Sequence, residues 1–219
     1  MAPTESGKSD GEVLYFAYGS NLSPTQMKDR CPSSPPIGLA YLPGWTWLIN
    51  ERGYANVVQD RTTVATTVTS TFTSIFQGLS WSDSKGTEEE SSDNMKRNEI
   101  SSGVYGVLYR LHPRDETNLD MHEGVPWAYE KRFLDATLLP GLTPTTTADT
   151  GYTDAHSQNT EKEETVRVLV YIDFKRVSSS APRKEYVDRM NRGIDEAMEQ
   201  WGLPKAYVDS VIRPFIPER

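Results

Sequence analysis

The chain has 219 residues, of which 36% are hydrophobic, and its 31 Asp and Glu against 23 Lys and Arg give a formal net charge of -8. That acidity argues against nucleic acid and anionic membrane surfaces as partners, because the mean field repels both, although a local basic patch stays open. One cysteine excludes an internal disulfide, and no stretch reaches the roughly 18 uninterrupted apolar residues of a membrane helix, so a reducing cytoplasmic setting is expected.

The opening MAPTESGKSDGE holds too few apolar groups to offset the entropy of ordering, so a flexible tail over 1–12 and a single domain over 13–219 are expected. VLYFAY, from Val13, reads as a buried strand that runs into a tight loop at Gly19. Ser23-Pro24-Thr25-Gln26 matches a capping box, with Pro24 at the first helical position, and predicts a short helix to about Arg30. Ile37 to Asn50, around a Pro43-Gly44 turn, and Tyr54 to Val58 are rich in aromatic and branched residues and predict strands.

Two long polar stretches, about 62–98 and 140–164, read as insertions, with 66–76 as a further strand candidate inside the first. Between them, Gly103 to Leu111 predicts a buried strand, Pro113 to His122 a helix stopped by Gly124, and Phe133 to Leu139 another strand. Thr165 to Phe174 continues as strand. Tyr186, Met190, Ile194 and Ala197 or Met198 then recur at helical spacing up to Trp201, Gly202 ends that helix, and Pro204 opens a shorter one towards Ile212. Strands dominate and helices are few and late, which points to an α+β fold around a mixed sheet or small barrel.

Two segments carry candidate chemistry. A strand ending in Gly19-Ser20-Asn21 beside a capped helix can leave backbone N–H groups facing outward as a carboxylate nest, and an ordinary strand-to-helix turn is the alternative. In NLDMHEGV, Glu123 stands before a helix-ending glycine at the edge of an apolar neighbourhood, where a carboxyl can become more basic. A solvated acid at a helix end is the other reading, and nothing local separates Glu123 from Glu116 or Asp120. His112, His122 and His156 are scattered without metal-ligand spacing, and Cys31 has no recognisable histidine partner, so neither a metal site nor a cysteine nucleophile is expected.

Together these segments resemble the γ-glutamyl cyclotransferase family. FAYGSNL, from Phe16 to Leu22, is similar to that family's substrate loop, and LDMHEGV, from Leu119 to Val125, to the segment with its catalytic glutamate. Gly53-Tyr54-Ala55-Asn56 resembles a glycine-and-alanine strand segment of the family, and Gly202-Leu203-Pro204 with Tyr207 its GLPxxY signature. The resemblance runs over about 13–212 apart from the two insertions. It implies a small mixed β-barrel with flanking short helices, and a cofactor-free lyase or acyltransferase that acts on a small-molecule γ-glutamyl substrate and releases 5-oxoproline. It further implies Glu123 as catalytic acid and base, and Tyr18, Gly19, Ser20, Asn21, Leu22 and Tyr129 as substrate-binding residues. For Tyr129, a core tyrosine bonded to backbone is the alternative. A homodimer is compatible with family analogy.

Relatives acting on glutathione carry a shorter GYGSL-like loop, and those acting on γ-glutamylamines a YGTL-like one, so YGSNL favours γ-glutamyl-amino acids. The insertions raise a second reading, the γ-glutamyl moiety of glutathione adducts in fungal secondary metabolism. A reading of another class is a catalytically inactive binding or regulatory module.

Overall fold

A computed structural model describes residues 11–60, 103–140 and 164–218. The strand expected at 66–76, nearly all of both insertions and most of the N-terminal tail lie outside those residues. Strands β1 (Val13–Ala17), β2 (Pro36–Pro43), β5 (Gly103–Leu111), β6 (Glu130–Leu138) and β7 (Glu164–Ile172) close into a barrel in the order β1–β5–β2–β6–β7. Among the described residues, strands β3 (Trp45–Ile49) and β4 (Ala55–Gln59) pair only with each other, so the Pro43-Gly44 turn leads out of the barrel rather than joining two paired strands. Phe16, Leu108, Tyr109, Leu169 and Ile172 are among the buried side chains that these strands contribute, from both of their faces, to the hydrophobic core.

The closing seam, β1 with β7, is parallel, whereas every other barrel pairing is antiparallel. Parallel pairing sends the C-terminal ends of β1 and β7 to the same rim. Strand β6 starts at that rim too, because Glu130 pairs with Ile172. The residues after Ala17, after Ile172 and before Glu130 therefore converge.

Helix α1 (Pro24–Arg30) begins as its sequence predicts, with the Gln26 amide donating to Ser23 Oγ at 3.0 Å. The reciprocal arm of the capping box is not made, because the Gln26 side chain turns inward. Instead Glu196, on helix α3 (Lys184–Trp201), accepts from Ser23 Oγ at 2.8 Å and the Thr25 amide at 3.0 Å. Helix α2 (Pro113–Glu123) ends at Gly124, which takes the left-handed conformation that terminates helices (φ 67°). Asp115, in its first turn, is buried and accepts from the Ser33 amide at 2.8 Å and Ser34 Oγ at 2.7 Å, binding the α1–β2 connection to α2. Helix α3 buries Tyr186, Met190, Ile194 and Ala197, the positions its sequence period marks. Among the described residues no helix is long and apolar enough to cross a membrane.

A buried polar cluster locks the β3–β4 hairpin to the rim. Asp173, just past β7, accepts from Asn50 Nδ2 at 3.1 Å, Arg176 Nε at 2.7 Å and the amides of Lys175 and Arg176 at 3.1 and 3.2 Å. Asn56 completes it, with Nδ2 donating to the Asp173 carbonyl at 2.9 Å and Oδ1 accepting from the Asp173 amide at 3.0 Å. The turn Asn50 to Tyr54 is thereby fixed over the barrel end.

Candidate active site

A cavity of about 210 Å³ opens at this rim. Tyr18, Gly19, Ser20 and Asn21 line it from the turn after β1, Glu123 from the end of α2, and Tyr129 from the approach to β6. Leu22 does not join them, since its side chain lies fully buried in the core.

The turn after β1 is more closed than its sequence suggests. Ser20 to Leu22 form one 3₁₀ turn in which the Leu22 amide donates to the Gly19 carbonyl at 2.9 Å and the Ser23 amide to the Ser20 carbonyl at 3.2 Å. The Ser20 amide donates to Tyr186 Oη of α3 at 3.2 Å. Of the expected nest, the Ser20 amide is thus occupied by a helix distant in sequence, while the turn itself takes up the Leu22 and Ser23 amides that follow it. Gly19 is required there for space, since a Cβ would stand 2.8 Å from Tyr186 Oη and 3.3 Å from the Ala55 methyl.

What this turn offers the cavity is the side chain of Asn21. Its Oδ1 accepts from Gln26 Nε2 at 2.8 Å and Arg30 Nη1 at 3.0 Å, which fixes the orientation of the amide. Its Nδ2 then donates to Tyr15 Oη at 2.9 Å and Glu123 Oε1 at 3.0 Å. The inward turn of Gln26 therefore serves this relay.

Glu123 is separated from its helix neighbours by its surroundings. Glu116 and Asp120 both accept from Lys131 Nζ, at 2.9 and 2.8 Å, and Asp120 also accepts from Tyr171 Oη at 2.7 Å. Glu123 instead faces the cavity among tyrosines. The residue keeps some exposure, but its carboxyl is enclosed, and desolvation holds its pKa above the ordinary glutamate value. Arg30, the Asn21 hydrogen bond, Arg189 and Arg52 act in the opposite direction without cancelling that rise.

Tyr129 meets both sequence readings in part, because its hydroxyl donates to the Ala55 carbonyl at 2.7 Å while its ring lines the cavity. His122, adjacent to Glu123 in sequence, also lines the cavity, with its pKa lowered by burial and by Arg30. Cys31 is buried, its thiol pushed up to about 12 by desolvation, so the neutral thiol is strongly favoured. Among the described residues no three of His, Cys, Asp and Glu come together to hold a metal ion.

Sequence reasoning missed Arg30, Arg52 and Arg189, which bring three guanidinium groups to this cavity in an acidic chain. It also missed Tyr15, Tyr171 and the site role of Tyr186. The Tyr186–Arg189 spacing on a predicted helix was the available clue, because residues three apart share a face.

No protein-family model and no curated protein matches this sequence. Solved structures do match in shape. One named as a γ-glutamyl cyclotransferase is 17% identical and superposes with a TM-score of 0.55 over 92% of this chain and 86% of its own. The chain has the γ-glutamyl cyclotransferase fold. An uncharacterized protein from Homo sapiens shares it at 18% identity and a TM-score of 0.56, over 93% of this chain and 88% of that one. YkqA from Bacillus subtilis shares it at 17% identity and 0.54, over 97% of this chain but only 58% of that longer one. In this cyclotransferase fold, the expected small barrel with flanking short helices is the architecture observed.

Proposed function

We propose that the chain is a γ-glutamyl cyclotransferase that converts γ-glutamyl-amino acids or γ-glutamyl peptides into 5-oxoproline and the free amino acid or peptide. The observation that carries this reading is the enclosed carboxyl of Glu123, held 3.0 Å from Asn21 Nδ2 beside the turn after β1.

The reaction asks little of a protein. The substrate's α-amine attacks its own γ-carbonyl carbon, a C–N bond of the five-membered ring forms, and the original amide C–N bond breaks. Folding the γ-glutamyl arm so that these atoms meet can supply an effective concentration on the order of 10⁵ M or more. The remaining need is a proton relay. Glu123, ionised, takes a proton from the α-ammonium so that the free amine attacks, and passes it to the departing nitrogen; the ring nitrogen sheds its second proton as the released amine takes one up, so no water and no net proton is consumed. Burial makes its carboxylate a better base than an exposed glutamate would be. The turn from Tyr18 to Asn21 and the ring of Tyr129 hold the γ-glutamyl head, while Leu22 supports the turn from the core.

The direct test incubates the full chain with γ-glutamyl-alanine and follows 5-oxoproline and alanine, expected in equal amounts. Failure to release 5-oxoproline from γ-glutamyl-alanine, a γ-glutamylamine and glutathione alike would remove the reading.

A second test addresses Asn21. Asn21→Asp replaces the donor to Glu123 with a second acid, and like charge at this distance raises the proton affinity of Glu123 further. Because the base must be ionised, the acid limb of the kcat/KM profile is expected to move to higher pH, with a fall of roughly tenfold or more at neutrality. An unmoved acid limb would separate Asn21 from the titrating group.

A further inference from the structure

The three cavity arginines differ in what already occupies them. Arg30 donates to Asn21 Oδ1 at 3.0 Å and is the cation that weighs most on Glu123. Arg189 is engaged by Glu185 through Nε at 3.0 Å and Nη2 at 3.2 Å, with Nη1 3.3 Å from Ser20 Oγ. Among the described residues the head of Arg52 has no such engagement. Its guanidinium carbon lies 5.4 Å from the ring centre of Tyr54 and 5.5 Å from that of Tyr129, and its Nη1 is buried without a hydrogen-bond partner among the described residues.

The remainder of Arg52 is anchored. Its amide donates to Asn50 Oδ1 at 3.0 Å, its carbonyl accepts from Arg183 Nε at 2.9 Å, and the turn is fixed by Asn50 N–H to the Tyr54 carbonyl at 2.8 Å. Two aromatic rings can hold a guanidinium without using any of its five N–H donors, so the planar fork is pre-organised for a carboxylate. A buried donor with no partner is unfavourable and uncommon in folded proteins, which makes a ligand its natural complement.

Charge bookkeeping points the same way. Glu185 offsets Arg189, Glu123 offsets Arg30, and the γ-glutamyl head, with one ammonium and one carboxylate, is neutral. Among the described residues of the cavity one positive charge remains, on Arg52.

We infer that Arg52 binds a carboxylate on the leaving group and is the residue by which this site prefers γ-glutamyl derivatives with a free C-terminal acid over those of amines. The identity of the bond cleaved rests on the cyclotransferase reading; the binding of a second carboxylate does not. The matched pair is γ-glutamyl-alanine and γ-glutamyl-alaninamide, identical except for that group. The intact chain is expected to favour the acid in kcat/KM by roughly 10- to 100-fold, mostly through KM, as loss of a charged hydrogen bond implies. Arg52→Met should bring the ratio close to one, and Arg52→Lys should restore part of it. A purely structural role would lower both substrates alike, and that result, or no preference in the intact chain, overturns the inference. Calorimetry of both compounds with Glu123→Gln, alone and combined with Arg52→Met, separates the two readings. If no γ-glutamyl compound is cleaved, tighter binding of the acid that depends on Arg52 still upholds the clamp, and equal binding of acid and amide refutes it.

Discussion

Glu123→Gln is expected to lower the rate of 5-oxoproline release by about 10³-fold, the middle of the range for loss of a positioned general acid–base. The substitution keeps the shape and an oxygen that can still accept from Asn21, while removing the group that carries the proton. Affinity for γ-glutamyl-alanine should change far less than turnover, so single-turnover kinetics beside calorimetry is the appropriate measurement. Because burial raises the folded-state pKa of Glu123, activity in the unmodified chain should fall with acid at a pH above the ordinary glutamate range. The stability consequence has the opposite sign from that of a salt-bridged acid. A carboxyl whose folded pKa is raised binds its proton more tightly in the native state, so its ionisation costs stability as pH rises from the unfolded value through the folded one. Glu123→Gln should therefore melt at or above the temperature of the unmodified chain at neutral pH, with the gap closing in acid. A variant that turns over at the unmodified rate would end the assignment of Glu123 as proton carrier.

Asp173→Ala is expected to destabilise the fold by about 3–5 kcal/mol, the range for removing one partner of a buried ionic network. The Asp173 side chain is 1% exposed, and its loss strands Asn50 Nδ2, two backbone amides and the Arg176 guanidinium together. Asp173→Asn, which keeps an acceptor oxygen, should cost less. Urea denaturation of the three proteins measures the difference, and a loss under about 1 kcal/mol would show that water replaces these bonds at little cost. The same variant should weaken substrate binding, because the cluster holds the turn that carries Arg52.

How much of this was legible in the letters depends on how local each cause is. Strand β1, the Ser23 cap and the stop at Gly124 are fixed by a few neighbouring residues, and the sequence reading of them agrees with the structure. The period of α3 is legible for the same reason, since Tyr186, Met190 and Ile194 repeat along one face. Strand β6 was read from Phe133, although it begins at Glu130. Its charged opening, Glu130-Lys131-Arg132, looks like loop until the pairing with β7 is known. Asp115 reads as a helix-dipole acid but is committed to Ser33 and Ser34, a contact between segments about 80 positions apart. The arginines were the furthest out of reach. Arg30 closes a helix, Arg52 sits in a hairpin turn and Arg189 lies on a late helix, and only closure of the barrel brings them to one cavity.

The parallel seam between β1 and β7 sets the order in which this cavity can be completed during synthesis. Tyr18 Oη donates to the Tyr171 carbonyl across 153 positions of chain, and Tyr186, which caps the Ser20 amide, emerges later still. Each doubling of a closed loop adds only about 0.6 kcal/mol of entropy, so the ring is affordable once complete but gains nothing while its final strand is missing. A nascent chain released before β7 would hold every residue of the first turn and Glu123, yet lack the wall that gives them a common site. Completion of the cavity wall would thus mark the last docking event of folding rather than the first.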